Sequence, residues 1–185
     1  MRARLHAIAA GSRANGPGVR FVVWFQGCTL GCAGCFNPTT HAATGPTVDL
    51  DEVIAAFAAA PVTGLTLSGG EPMQQAPAAL ELLLAARRLG RSTLMFSGYT
   101  RAELAAQALG PAVLGHLDVL VDGRYQPAER LGTGLRGSAN QQLHLLTARH
   151  SRAEVEATPE AEIRIAPDGT IELTGVAPLT VRALR

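Results

Sequence analysis

The sequence contains no lysine. Its sixteen basic residues are all arginine, set against fifteen acidic ones, for a net charge of +1. With alanine also abundant, this is compositional bias, and any single arginine is first a solvated surface charge. Near-neutrality leaves no basic face for a phosphate backbone, so no nucleic-acid partner is expected. Long apolar runs are missing as well. The alanine-rich stretches are broken by charge or proline, which excludes a membrane-spanning helix and a membrane partner. Residues 1–20 carry Arg2, Arg4, Arg13 and Arg20 and form no signal peptide, so a cytoplasmic location is expected. There is no internal repeat. Cysteine is limited to three, all within eight residues. An odd, clustered count makes a poor disulfide framework and, in a reducing compartment, reads as metal ligation.

What is present is a globular chain of 185 residues, 47% hydrophobic and 17% charged, enough for one core. Leu5–Ala10 is predicted as an edge strand, Gly11–Gly18 as a loop, and Arg20–Gln26 (RFVVWFQ) as a buried strand. Residues 27–44 read as irregular. Asp49 and Glu52 fit a capping box for a helix to about Ala60. Then follow a strand over Val62–Leu67, a helix over Pro77–Leu89 with Leu80, Leu83 and Leu84 on one face, and a strand over Ser92–Phe96. Thr100 with Glu103 starts a short helix, and Leu117–Val121 is the next strand. Alternating strands and helices predict a parallel sheet with helices outside it. In such a sheet the loops after the strands carry the chemistry. Gly27–Cys35, Ser68–Pro72, Ser97–Tyr99 and Asp122–Gly123 all fall there. In the tail, Ser151 with Glu154 caps a brief helix, and Glu162–Ile165 and Thr170–Leu173 flank Pro167-Asp168-Gly169 as a β-hairpin.

The strongest chemical signal is Cys28-Thr-Leu-Gly-Cys32-Ala-Gly-Cys35. Three thiolates on one tight loop can hold three irons of a cubane and leave the fourth to a small molecule. Gly31 and Gly34 let the loop bend. A zinc site completed by His41 as Cys3His is the competing reading. Each other segment, taken alone, has a plain structural explanation. Asn15–Gly18, Gly69-Gly70 and Asp122-Gly123 are ordinary turns, Arg136–Gln141 is a polar loop, and Tyr99 is core.

Together these segments resemble the radical S-adenosylmethionine superfamily, whose hallmark is CxxxCxxC after the first strand. Asn15-Gly-Pro-Gly18-Val-Arg20 and Gly34-Cys35-Phe36-Asn37 are similar to segments of its glycyl-radical-enzyme activases. So are Ser97-Gly98-Tyr99-Thr100, Val121-Asp122-Gly123-Arg124-Tyr125 and Arg136-Gly137-Ser138-Ala139-Asn140-Gln141. Several of these match the group that activates anaerobic ribonucleotide reductase. Ser68-Gly69-Gly70-Glu71-Pro72 resembles the superfamily's GGEP motif. The segments run in family order over residues 10–145.

The resemblance implies an α/β fold, a partial (β/α) barrel with parallel strands and outer helices, to which the tail adds the C-terminal β-hairpin read from its alternation. Residues 1–150 would form the core, with the iron–sulfur loop at 27–36, and 151–185 an extension packed on it. Cys28, Cys32 and Cys35 would ligate a [4Fe-4S] cluster and be the catalytic residues. Gly34, Phe36, Gly69, Gly70, Glu71 and Ser97 would bind S-adenosylmethionine, with Phe36 stacked on adenine and Glu71 meeting the ammonium. Asn15, Arg20, Tyr99, Asp122, Arg136 and Asn140 would face the partner. That partner would be a glycyl-radical enzyme, with a flavodoxin-like or ferredoxin-like electron donor. The implied reaction is reductive cleavage to a 5′-deoxyadenosyl radical. The alternative is a member of the same superfamily acting directly on a small molecule or peptide. Residues 146–185 extend past the short activators, and their hairpin suits a lid or recognition strand.

Overall fold

The computed structural model describes residues 1–165, 168–169 and 171–177. The central sheet is built from β2 (Leu5–Ser12), β3 (Arg20–Phe25), β5 (Gly64–Gly69), β6 (Ser92–Ser97), β7 (Val119–Asp122) and β10 (Gln142–Leu145). The strands β1 (Arg2–Ala3) and β4 (Val48–Asp49) pair beside it. So do β8 (Arg130–Thr133) with β9 (Arg136–Ser138) and β11 (Ala161–Ile165) with β12 (Ile171–Gly175). The helices are α1 (Leu50–Ala59), α2 (Ala76–Arg88), α3 (Arg101–Ala105), α4 (Gly110–Gly115) and α5 (Arg152–Glu156).

Sheet order is β10-β7-β6-β5-β3-β2. The inner four strands are parallel, as helical crossovers demand. Both outer strands run antiparallel, which corrects the purely parallel expectation. The reason lies in the connections. β2 reaches β3 through a short loop, and β10 returns to β7 after the β8–β9 ribbon rather than after a helix. The protein is therefore mixed α/β around a sheet with a parallel centre.

Alternation along the strands divides two faces. Phe21, Val23, Phe25, Leu65, Leu67 and Met95 pack with Leu50, Phe57, Leu82 and Leu83 in the main core, beneath the helices α1 to α4. A smaller cluster of Leu94, Val119, Val121, Leu135, Leu143 and Val155 lies on the other face. On α2 the fully buried stripe is Ala79, Leu82, Leu83 and Ala86, with Leu80 and Leu84 at its margins rather than its centre.

The caps largely follow expectation. Thr100 with Glu103 and Ser151 with Glu154 form reciprocal capping boxes. Asp49 caps α1 by accepting from the Asp51 N–H instead of pairing with Glu52. The predicted tail hairpin is present as β11 and β12, with Ile163 opposite Leu173 and Ile165 opposite Ile171. Pro167 and Thr170 of that expected hairpin, and residues 178–185 of the expected extension, lie outside the described residues.

Candidate iron–sulfur and cofactor site

Register places the loops after β3, β5, β6 and β7 along one edge, with Phe25 beside Gly69 and Ser97 beside Asp122. A cavity of about 580 Å³ opens there and continues across the sheet face that carries Trp24, Ser68 and Phe96. Its size suits a nucleoside-sized ligand. Cys28, Cys32 and Cys35 all line it, and all three are half-buried free thiols.

The cysteine loop is anchored at its base and free at its tip. The Gly27 N–H donates to the Thr40 carbonyl at 2.7 Å, and the Cys28 N–H to that of His41 at 3.0 Å. Gln74 accepts from the Thr29 N–H at 3.1 Å and donates to the Thr29 hydroxyl at 2.7 Å. Gln26 donates to the Thr39 and Ala42 carbonyls. Gly31 and Gly34 take φ of +64° and +65°, which an L side chain resists, so they supply the predicted bend. Burial pushes the Cys28 thiol above its ordinary range, with Glu71 and the other two cysteines adding to that. The donor set fits an iron–sulfur cluster: three soft ligands facing one cavity and none tied in a disulfide. Among the described residues, no three His, Cys, Asp or Glu side chains converge as they would on one ion, the three cysteines with or without His41 included, so it is the three-thiolate donor set and not its present spacing that fits a cluster.

The glycines of the second loop answer to sterics. A Cβ on Gly69, at φ +99°, would stand 2.4 Å from the Phe25 nitrogen, and one on Gly70 would stand 2.3 Å from the Gly27 oxygen. The Gly70 and Glu71 N–H groups already donate to the Phe25 and Gly27 carbonyls. The two loops thus touch backbone to backbone.

Glu71 is 1% exposed. Its Oε1 accepts from the Met73 N–H at 3.0 Å and the Ser97 hydroxyl at 2.9 Å, and its Oε2 from the Gly98 N–H at 2.8 Å. Burial raises its pKa to about 7 against the pull of those donors. The carboxyl therefore ties the ends of β5 and β6 together while still lining the cavity. Ser97 also accepts from the Tyr99 N–H. Phe36 lines the cavity at 37% exposure, with Tyr125 against it at 4.4 Å between centroids and Arg130 5.3 Å from its centroid. Gly34 backs onto Pro127 and Tyr125 and is not itself a cavity residue.

Of the expected partner-facing residues, only Asn15 lines this cavity, where it donates to Ser12 and Thr174. Arg20 is a correction. It sits at the opposite, N-terminal end of β3, 1% exposed, bonded to Thr66, Ser92 and the Leu65 carbonyl. Tyr99 packs on the core beneath Arg124. Asp122 accepts from the Arg101 N–H, and with Asn140 borders a separate shallow depression. Arg136 is half-buried, away from both. His144 has its Nε2 3.2 Å from Asp122 Oδ1 but off the hydrogen-bond axis.

Sequence reading passed over Trp24, Phe96 and the bracing amides Gln26 and Gln74, whereas Gln141, at the end of the Arg136–Gln141 segment, does line the cavity. Strict alternation in β3 and β6 was the available signal for the first two. The amides carried none.

Comparison with known proteins agrees with the site. Residues 14–144 match the 4Fe-4S single cluster domain family. The anaerobic ribonucleoside-triphosphate reductase-activating protein of Vibrio cholerae is 37% identical over 146 residues, spanning 72% of this chain and 92% of the relative. The chain belongs to the anaerobic ribonucleoside-triphosphate reductase-activating protein family. Another member, from Pasteurella multocida, is 32% identical over 72% of this chain and 91% of its own length. The pyruvate formate-lyase-activating enzyme of Staphylococcus epidermidis is 34% identical over 85 residues, 42% of this chain and 34% of that enzyme. As a member of the reductase-activating family, the chain is an iron–sulfur enzyme of the radical S-adenosylmethionine type.

Proposed function

We propose that this protein installs a glycyl radical on a partner enzyme, with anaerobic ribonucleoside-triphosphate reductase as that partner. The observation that carries the reading is the meeting of the three-cysteine loop with Gly69–Glu71 and Ser97 at one cavity. Cys28, Cys32 and Cys35 would hold a [4Fe-4S] cluster. When bound, the cluster supplies the electron that divides S-adenosylmethionine into methionine and a 5′-deoxyadenosyl radical.

The chain's own residues bind, orient and exclude water. The Glu71 carboxyl has three protein donors and one lone-pair direction left for an ammonium, where a charge-assisted hydrogen bond contributes about 1.5–3 kcal/mol. The exposed part of the Phe36 ring offers a surface for adenine, while Tyr125 and Arg130 hold the ring in place. Trp24 and Phe96 keep the cavity's far wall apolar. Fixing the sulfonium at one position makes electron transfer unimolecular.

In this reading residues 1–150 are the catalytic core, curved as a partial (β/α) barrel, and 151–185 an extension packed against it. Asn15 would be the partner-facing residue within the cavity. A flavodoxin-like or ferredoxin-like protein would deliver the electron in the cytoplasm. No helix among the described residues is long and apolar enough to cross a membrane.

The test is anaerobic reconstitution with iron and sulfide, reduction, and chromatography for 5′-deoxyadenosine. Addition of the reductase should then give a glycyl doublet by electron paramagnetic resonance. Cleavage with no doublet on any glycyl-radical enzyme would refute the activase reading.

A further inference from the structure

The hairpin β11–β12 lies outside the segment that matches the family, which ends at residue 144. Its two faces are inverted relative to an ordinary amphipathic ribbon. Glu162 accepts from the Ser12 hydroxyl at 2.6 Å and the Arg13 N–H at 3.0 Å, and Thr174 accepts from Asn15 at 2.9 Å. On the same face, Arg164 stands opposite Glu172, and both line the reaction cavity. The polar face is thus turned inward.

The apolar face is turned out. Register sets Ile163 opposite Leu173 and Ile165 opposite Ile171, so all four share one side. They are 46%, 43%, 72% and 63% exposed respectively. Four adjacent aliphatic side chains left in water on a two-stranded ribbon constitute a contact patch.

We propose that this patch docks the polypeptide partner and delivers its glycine-bearing segment to the cavity. This rests on the activase reading above. Two observations choose the occupant. First, the reverse face of the same ribbon walls the cavity, and Leu173 belongs both to the patch and to the cavity lining, so whatever sits on the patch lies at the entrance. Second, the patch is small. Two five-residue strands cover roughly 17 by 10 Å, or about 170 Å². A stable interface buries about 800 Å² per partner, so this patch alone holds neither a second copy nor any other protein. A transient protein substrate, gripped here by an apolar stretch flanking the glycine, makes the rest of its contact by entering the cavity that the ribbon walls.

The test uses the full-length, reconstituted chain and the host's own anaerobic ribonucleoside-triphosphate reductase. Ile165→Ser/Ile171→Ser changes the two most exposed positions, neither of which lines the cavity. Binding is measured by calorimetry and needs no turnover. The variant should bind the reductase about tenfold or more weakly, as for apolar anchors of small interfaces. The glycyl doublet should fall at low reductase concentration and recover at high concentration. Cleavage of S-adenosylmethionine without partner should be unchanged. Equal affinity and equal concentration dependence for variant and wild type would overturn the proposal. A wild-type dimer by sedimentation that dissociates in the variant would also overturn it, by naming a second copy as occupant. Absence of 5′-deoxyadenosine from wild type would instead sink the activase reading, and the calorimetric result would still decide the docking.

Discussion

The two ends of the central sheet each bury a charged side chain that neutral hydrogen-bonding groups, not a salt-bridge partner, hold in place, and they use it differently. At the N-terminal end, Arg20 donates to two hydroxyls and two carbonyls. At the C-terminal end, Glu71 accepts from two backbone N–H groups and one hydroxyl. Burial disfavours both charges, lowering the Arg20 pKa to about 9 and raising that of Glu71 to about 7. Arg20 is sealed in, with Gly64 leaving it room: a Cβ there would stand 2.0 Å from its Nη1. Glu71 opens onto the cavity. The same solution, a buried ion held by neutral dipoles, makes a rivet at one end and a binding group at the other. What separates them is access to ligand, not the strength of their bonds.

The sharpest way to break this comparison is to remove the chemistry and keep the fold. Cys32→Ala should abolish cluster assembly and turnover while leaving the thermal transition of the cluster-free chain nearly unmoved. Iron and sulfide analysis with calorimetry checks both halves.

Next, Arg20→Met should lower unfolding free energy by about 3 kcal/mol, because buried acceptors lose their donors. The surviving folded protein should cleave S-adenosylmethionine at the wild-type rate per cluster. A rate loss larger than the loss of folded protein would restore Arg20 to the site.

Glu71→Gln should cost about 2 kcal/mol, since its amide must turn N–H toward a donor. Unlike Arg20→Met, it should also weaken cofactor binding. It should flatten a pH dependence too. A carboxyl whose folded pKa is raised from 4.5 to about 7 adds stability below pH 4.5 that is lost as pH rises toward 7. Denaturant melts of the cluster-free wild type and variant across that window test the sign.

The smallest effect is expected from Gly137→Ala. Its methyl would stand 2.4 Å from the Phe36 ring, which can shift. The KM for S-adenosylmethionine should rise severalfold while the melting temperature holds.

The site was legible in the sequence where chemistry depends on neighbours in the chain, and less so where it depends on the fold. The cysteine loop and Gly69–Glu71 were found because their spacing is local and their strands point the same way. Arg20 was misplaced because its motif runs into β3 from the loop before it. A six-residue strand carries its two ends about 20 Å apart, so nearness in sequence to Cys28 put it at the far edge. The antiparallel edge β10 and the ribbon β8–β9 escaped notice for another reason. β8 (RLGT) and β9 (RGS) show no alternation to read, and β10 (QLHL) alternates over only four residues, the shortest run that signals a strand. The hairpin was visible because its alternation is clean. Which face turns outward required its contacts with Ser12 and Asn15.

Gln26 and Gln74 hold the cysteine loop by uncharged amides, with the His6 ring 3.0 Å from the Gln26 amide oxygen. Such a grip has no counterion to attract. A salt shock that loosens ion pairs elsewhere on the surface leaves this clasp untouched. The cysteine-bearing segment is thereby insulated from ionic strength by the choice of glutamine over glutamate.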